Sequence, residues 1–238
     1  MLSKQTIDVL NSIAIISADD KSNKITISYP LTFIAAAAGD ILVQYDLRNS
    51  EIGEFENIPV YNLNNLLSVF KLFGDDRTVI RDNKLLKISD GTASAEYIIS
   101  DESLVEYKDY SKIFESTVNA PSIATFVISK DSMKNLRNAS GVFKDLDEYL
   151  LESSESGVKV SLAATNSFKA ASNTYSNSFL AKTEKEFTVK LPVKNLNMLP
   201  VSDYQFDIKY NSAQDKYRII LTSTEMDNFK IILSPSVK

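Results

Sequence analysis

One order of elements, helix then strands then helix then strands, runs twice through these 238 residues. Sliding the chain so that Ser3-Lys4 falls on Ser129-Lys130 also places Ile7 on Met133, Leu10 on Leu136 and Ala14 on Ser140. A slightly larger slide brings Leu66 near Leu196, Ile88 near Ile220, and Tyr97-Ile98-Ile99-Ser100 near Ile231-Ile232-Leu233-Ser234. Loop insertions produce such a drift, so the repeat is one of pattern rather than identity. A duplicated chain of this length folds as two domains of roughly 100–130 residues each.

Four segments read as helices, three of them on the 3.6-residue period of an amphipathic face. The first runs from about Ser3 to Ile16, with Ile7, Leu10 and Ala14 on one face. The second runs from about Asn62, a capping residue, to Phe73, with Leu63, Leu66, Leu67 and Phe70 apolar and Gly74 as its stop. Ser129 caps the third, from about Lys130 to Val142, with Met133, Leu136 and Ser140 facing inward. The fourth, about Val193 to Leu199, is bounded by Pro192 and Pro200. Short β-branched or aromatic runs lie between them, among them 24–28, 41–45, 85–88, 96–99, 157–162, 187–191, 204–210, 217–222 and 229–233. Their hairpin spacing predicts antiparallel sheets, hence an α+β class with two helices and a set of strands in each repeat. The domains are expected at 1–105 and 123–238, joined by a connector at 106–122.

Composition removes most enzyme classes. The chain has no His and no Cys, so Ser-His-Asp and Cys-His nucleophile systems, thiolate metal sites and disulfides are excluded. Acidic groups such as Asp19-Asp20, Asp75-Asp76, Asp145/Asp147/Glu148 and Glu152/Glu155 fall in expected turns or helix ends. Local capping explains them better than a metal-dependent nuclease does. Gly74-Asp75-Asp76-Arg77 lacks phosphate-loop spacing. We expect no enzyme, no cofactor and no metal. The opening residues lack the pattern of a signal peptide, and the apolar run Phe33–Ala38 is far shorter than the ~20 residues of a membrane span. A soluble intracellular protein is expected.

Three stretches resemble the T4-type bacteriophage sliding clamps: Met1-Leu2-Ser3-Lys4-Gln5-Thr6 with its helix; Val60-Tyr61-Asn62-Leu63-Asn64-Asn65-Leu66-Leu67 through Asp75-Asp76; and Phe187–Leu191 through Asn195, Met198, Pro200 and Tyr204. Their collinearity with the duplication carries the resemblance, which spans nearly the whole chain; Ser111 to Phe126 departs from it. The resemblance implies two tandem clamp domains, three subunits closing head to tail into a ring, and double-stranded DNA threaded through it without sequence preference. It implies a non-enzymatic processivity factor for a replicative DNA polymerase, loaded by a separate clamp-loader ATPase, in the cytoplasm of an infected bacterium. Phage late-transcription factors are a further class of partner. A duplicated β-rich viral structural or receptor-binding protein with no DNA role is the alternative.

Lys130, Lys134 and Arg137 share a sector of the third helix, at i, i+4 and i+7. An isolated helix with that pattern is an ordinary solvated face. In a clamp the same surface lines the bore, where phosphates need cations without base contacts. Lys4, beside Asp8 and Asn11, is the first helix's contribution; Lys71, beside Asn64 and Ser68, is the second's; Lys194 is the fourth's. Tyr107, Tyr110, Ile113 and Phe114, with Pro235 and Val237 near the C-terminus, have two readings. They frame a hydrophobic groove for partner peptides, or the connector's own aromatics pin it to the core.

Overall fold

The computed structural model describes residues 2–16, 23–36, 39–48, 54–105, 107–165, 174–226 and 228–235. The chain divides between Tyr110 and Ser111 into two units. In the first, α1 (Lys4–Ile13) precedes β1 (Ile25–Ile27), β2 (Leu31–Ala35), β3 (Ile41–Asp46) and β4 (Ile58–Val60). Then come α2 (Leu63–Phe70) and the meander β5 (Thr78–Asp82), β6 (Leu85–Ser89) and β7 (Ser94–Ile98). The second unit opens with α3 (Ser111–Val118), β8 (Ser122–Ile128) and α4 (Lys130–Val142). It continues with β9 (Glu148–Ser154), β10 (Gly157–Ala163), β11 (Ser176–Leu180), β12 (Lys182–Thr183) and β13 (Thr188–Pro192). It ends with α5 (Val193–Asn197), β14 (Tyr204–Asn211), β15 (Lys216–Ser223) and β16 (Phe229–Leu233).

The duplication is structural. α1-β1-β2-β3 corresponds to α4-β9-β10-β11, and β4-α2-β5-β6-β7 to β13-α5-β14-β15-β16. In each unit the strand entering the second helix pairs antiparallel with the strand that follows the first. Ile25 thus faces Val60 in β1–β4, and Pro192 faces Glu148 in β9–β13. β8 pairs with β14 in the second unit, and among the described residues the first unit has no counterpart to it.

The helices start where their caps lie. Ser3 Oγ accepts from Thr6 N (3.1 Å), Asn62 Oδ1 from Asn65 N (3.0 Å) and Ser129 Oγ from Ser132 N (3.2 Å). Each cap satisfies one of the four unpaired amides of a helix's first turn. Ile7, Leu10 and Ala14 are buried, as are Leu63, Leu66, Leu67 and Phe70, and Met133, Leu136 and Ser140. Each fully buried aliphatic side chain contributes about 1.5–3 kcal/mol by leaving water. The second unit's core stacks Phe126 on Phe206 (ring centroids 5.3 Å apart), with Phe179 at 5.8 Å. Tyr149 and Tyr204 are fully buried, and each hydroxyl donates to a backbone carbonyl, Leu136 O within α4 at 3.0 Å and Pro200 O after α5 at 2.9 Å. Gly157 is fixed by its surroundings: its φ is +143°, and a Cβ there would strike the backbone of Phe179 and Ala181 on the paired strand.

Part of the segment expected as a connector is regular structure. Residues 111–118 form α3, which buries Phe114 and Thr117 within the second unit. Lys209, itself buried, donates from Nζ to Val118 O (3.1 Å) and Ser122 Oγ (2.8 Å) and pairs with Asp207 (3.0 Å). That ties the end of α3 to β8 and β14.

Candidate nucleic-acid interface

In the first unit the polar residues expected on α1 and α2 meet along one shallow groove. Asn11, Asn64, Ser68 and Lys71 line it, with Ile15 at one side. Asn11 Nδ2 donates to Ile7 O (3.0 Å) and Ser68 Oγ to Asn64 O (2.8 Å), so both side chains lie back along their own helices. Lys71 is exposed and forms no ion pair among the described residues. Lys4 stands differently: its Nζ lies 2.6 Å from Asp75 Oδ2, in the turn after α2. The hydrogen bond to Asp75 raises the ammonium's pKa and lowers that of the carboxyl. Asp8 is exposed on α1.

In the second unit α4 and α5 lie together, and Asn197 Nδ2 donates to Ser140 Oγ across them (3.2 Å). Lys130 Nζ lies 3.3 Å from Glu225 Oε1, and Lys134 Nζ lies 3.4 Å from Asp131, one turn back on α4. Lys194 is exposed and makes no ion pair among the described residues.

Arg137 corrects the expected stripe. Its Nη2 donates to Leu196 O (2.7 Å) and Leu199 O (2.6 Å), turning the guanidinium onto the end of α5 instead of leaving it beside Lys130 and Lys134. The reason is local: a helix end leaves unpaired carbonyls, and residue 137 lies on the flank of α4 that α5 covers. Burial lowers the guanidinium's pKa. In the first unit Arg77 does the same for α2, its Nη1 reaching Phe70 O and Phe73 O at 3.4 Å and Gly74 O at 3.1 Å.

The pairing of acids with these helix lysines is not legible in the sequence, where Asp75 stands only as a turn acid. Asp75 and Glu225 pair with the lysines, and an Asp203 carboxylate oxygen accepts from Lys130 N. They lie 71, 95 and 73 residues from their partners, so no local spacing announces them. Two of the other acids raised as metal candidates are committed elsewhere. Glu148 is buried in β9 against Lys190 (3.2 Å), and Asp147 Oδ1 accepts from Thr165 N (2.7 Å). Asp19 and Asp20 lie outside the described residues, among which no group of three or more candidate metal ligands occurs.

The residues proposed for a peptide groove divide. Tyr110 is pinned edge-on to Phe33 (ring centroids 6.2 Å apart), whereas Tyr107 and Ile113 are exposed. Pro235 borders a cleft of about 1250 Å³ within the second unit, lined also by Phe187, Val189, Tyr217 and Arg218. Val237 lies outside the described residues.

No protein-family model matches the sequence, and no curated protein matches it. Solved structures do. The chain is similar to A. fulgidus PCNA bound to the C-terminal region of FEN-1, with a TM-score of 0.65 and 14% identity over 100% of this chain and 97% of that one. It is similar to the proliferating cellular nuclear antigen of Entamoeba histolytica, with a TM-score of 0.68 and 11% identity over 98% and 96%. It is similar also to the Helicobacter pylori beta clamp bound to a DNA ligase peptide, with a TM-score of 0.67 and 15% identity over 100% of this chain and 64% of that chain. At these identities the likeness establishes the fold: an α+β chain of DNA-clamp architecture, few helices on antiparallel sheets.

Proposed function

We propose that the chain is a sliding clamp of the T4 bacteriophage type, three copies of which close head to tail around duplex DNA and tether a replicative polymerase. The observation that carries this reading is likeness over the whole chain to two-unit clamps, together with collinear resemblance to the phage family. The share of the beta clamp covered fits two of the three repeats that bacterial clamp chains carry. Two repeats per chain call for three copies to make six domains.

Two sheet edges support head-to-tail closure. Among the described residues β7 ends one sheet of the first unit and β11 ends one of the second. Both strands alternate in exposure, and they carry the two most exposed of the protruding apolar side chains beside Leu72: Ile98 at 74% and Leu180 at 87%. An open apolar edge is normally blunted or paired. Pairing β7 of one copy with β11 of the next buries both and repeats heterologously, the geometry that closes rings.

Function in such an assembly is topological. Dissociation requires opening the ring, so the contacts of Lys4, Lys71, Lys130, Lys134 and Lys194 with phosphate can stay weak and sequence-independent. Loading falls to a separate ATPase. Peptides of the polymerase and loader dock on exposed apolar surface, for which Tyr107, Ile113 and Pro235 are the candidates; the neighbours bound to FEN-1 and ligase segments support this mode. Light scattering is expected to give three 26.5 kDa chains per particle. Loaded protein is expected to remain on closed circular DNA and to run off after linearisation. A stable two-fold dimer, or equal retention on both forms, rejects the clamp in favour of a β-rich viral structural protein.

A further inference from the structure

Lys4 and Lys130 hold equivalent places in the two units, each the first helical residue after a capping serine. Each reaches an acid far along its own unit. Lys4 Nζ meets Asp75 Oδ2 at 2.6 Å, and Lys130 Nζ meets Glu225 Oε1 at 3.3 Å and Oε2 at 3.4 Å. The acids are not equivalent: Asp75 follows α2, whereas Glu225 lies between β15 and β16. The same lysine is therefore answered in both repeats by a carboxylate of separate origin.

Both pairs are open to water, with side chains 53% and 70% exposed in one and 44% in each member of the other. Ion pairs of this kind are weak and exchange readily. The acids also keep partners if their lysines leave. Asp75 Oδ1 lies 3.9 Å from Arg77 Nη2, and Glu225 Oε2 accepts from Ser202 Oγ at 3.2 Å.

We propose that Asp75 and Glu225 are exchangeable counterions, holding Lys4 and Lys130 when DNA is absent and yielding them to backbone phosphates when the duplex is present. This rests on the reading of the α1–α2 and α4–α5 surfaces as DNA-facing. A phosphate that takes such a lysine releases a condensed cation, while the freed carboxylate attracts one. Each contact then swaps one ion pair for another, with little net counterion release and a low barrier to moving along the strand. Lys71 and Lys194, which make no ion pair among the described residues, supply the ordinary salt-sensitive part.

The test measures association of the full-length protein with duplex DNA across a salt series, and one-dimensional diffusion of the loaded protein on stretched DNA. In a three-copy ring Asp75→Asn is expected to steepen the log-affinity slope by up to about 2.7, three contacts at about 0.9 each, and to slow diffusion. Glu225→Gln is expected to act likewise, and Lys4→Gln to abolish the gain in the Asp75→Asn background. Asp76→Asn removes the same charge from the adjacent position and is expected to do much less. An Asp76→Asn effect as large as that of Asp75→Asn reduces the matter to net charge and overturns the proposal. So do wild-type slope and diffusion in both carboxylate variants with ring mass intact, provided that Lys71→Glu with Lys194→Glu weakens association. If that lysine double variant changes nothing either, the DNA-facing reading itself falls.

Discussion

At residue scale, Arg137 shows how a charge that looks free in a helical projection can be spent inside the protein. Its two hydrogen bonds close carbonyls at the end of α5, and truncation removes both, although Leu196 O still accepts from Leu199 N (3.3 Å). Arg137→Met keeps most of the aliphatic stem and is expected to cost about 1–3 kcal/mol in urea denaturation. Its effect on the salt slope of DNA association is expected to be small. Unchanged stability with a flattened slope would return Arg137 to the DNA side. Asp90 offers a pH probe of the β6–β7 turn. Its carboxylate accepts from Ala93 N (2.9 Å), Thr92 N (3.0 Å) and Thr92 Oγ1 (2.8 Å), which together lower its pKa from 3.8 to about 2. Because the folded value is the lower one, the turn gains stability that is complete above roughly pH 4 and disappears as pH falls through about 2. An NMR titration of the Asp90 carboxyl, followed with the exchange rates of the Thr92 and Ala93 amides, checks this. A midpoint near 3.8 would mean that the turn does not hold the charge.

At element scale, helix starts were legible and strand edges were not. Ser3, Asn62 and Ser129 are caps because short polar side chains satisfy first-turn amides, a relation confined to four consecutive residues. α3 is different. Its eight residues are too few to hold a helix alone, and packing of Phe114 with the Lys209 hydrogen bonds holds it. β8 went unseen for a related reason: a seven-residue apolar run placed after a presumed connector declares no partner, and β14, its partner, lies about 80 residues on. The exposed edges give the prediction at this scale. Leu180→Asp, or Ile98→Asp on the opposing edge, is expected to dissociate the assembly to single 26.5 kDa chains in light scattering while circular dichroism stays unchanged. Both side chains face water in the isolated chain, so folding loses little. An intact trimer in both variants would move the interface to other strands.

At the scale of the whole molecule, 31 acidic against 26 basic residues give a net charge of −5, an unpromising sum for a protein read as enclosing a polyanion. Position and pairing resolve it. Among the described residues Lys71, at the end of α2, and Lys194, on α5, make no ion pair, while Lys4 and Lys130 carry their own acids. On that reading, a net negative charge would suppress nonspecific capture, and enclosure would supply the residence that affinity does not. Of the four cations expected on first helices, three keep exposed ammonium groups and one is a structural cap.

The sequence by itself determined the duplication, the four helices first assigned, with two of their caps and three of their apolar faces, the antiparallel class, and the exclusion of His and Cys chemistry. All of these depend on residue type or on spacings of a few positions, which a helix or strand converts directly into a face. Only the tertiary structure decided which cations stay free, because ion pairs such as Lys4–Asp75 and Lys130–Glu225, and the carbonyls that claim Arg137, join residues dozens of positions apart. It likewise decided that Tyr110 belongs to Phe33 and that β7 and β11 end their sheets. An edge or a long-range ion pair is a relation between elements, and periodicity within one element carries no trace of it.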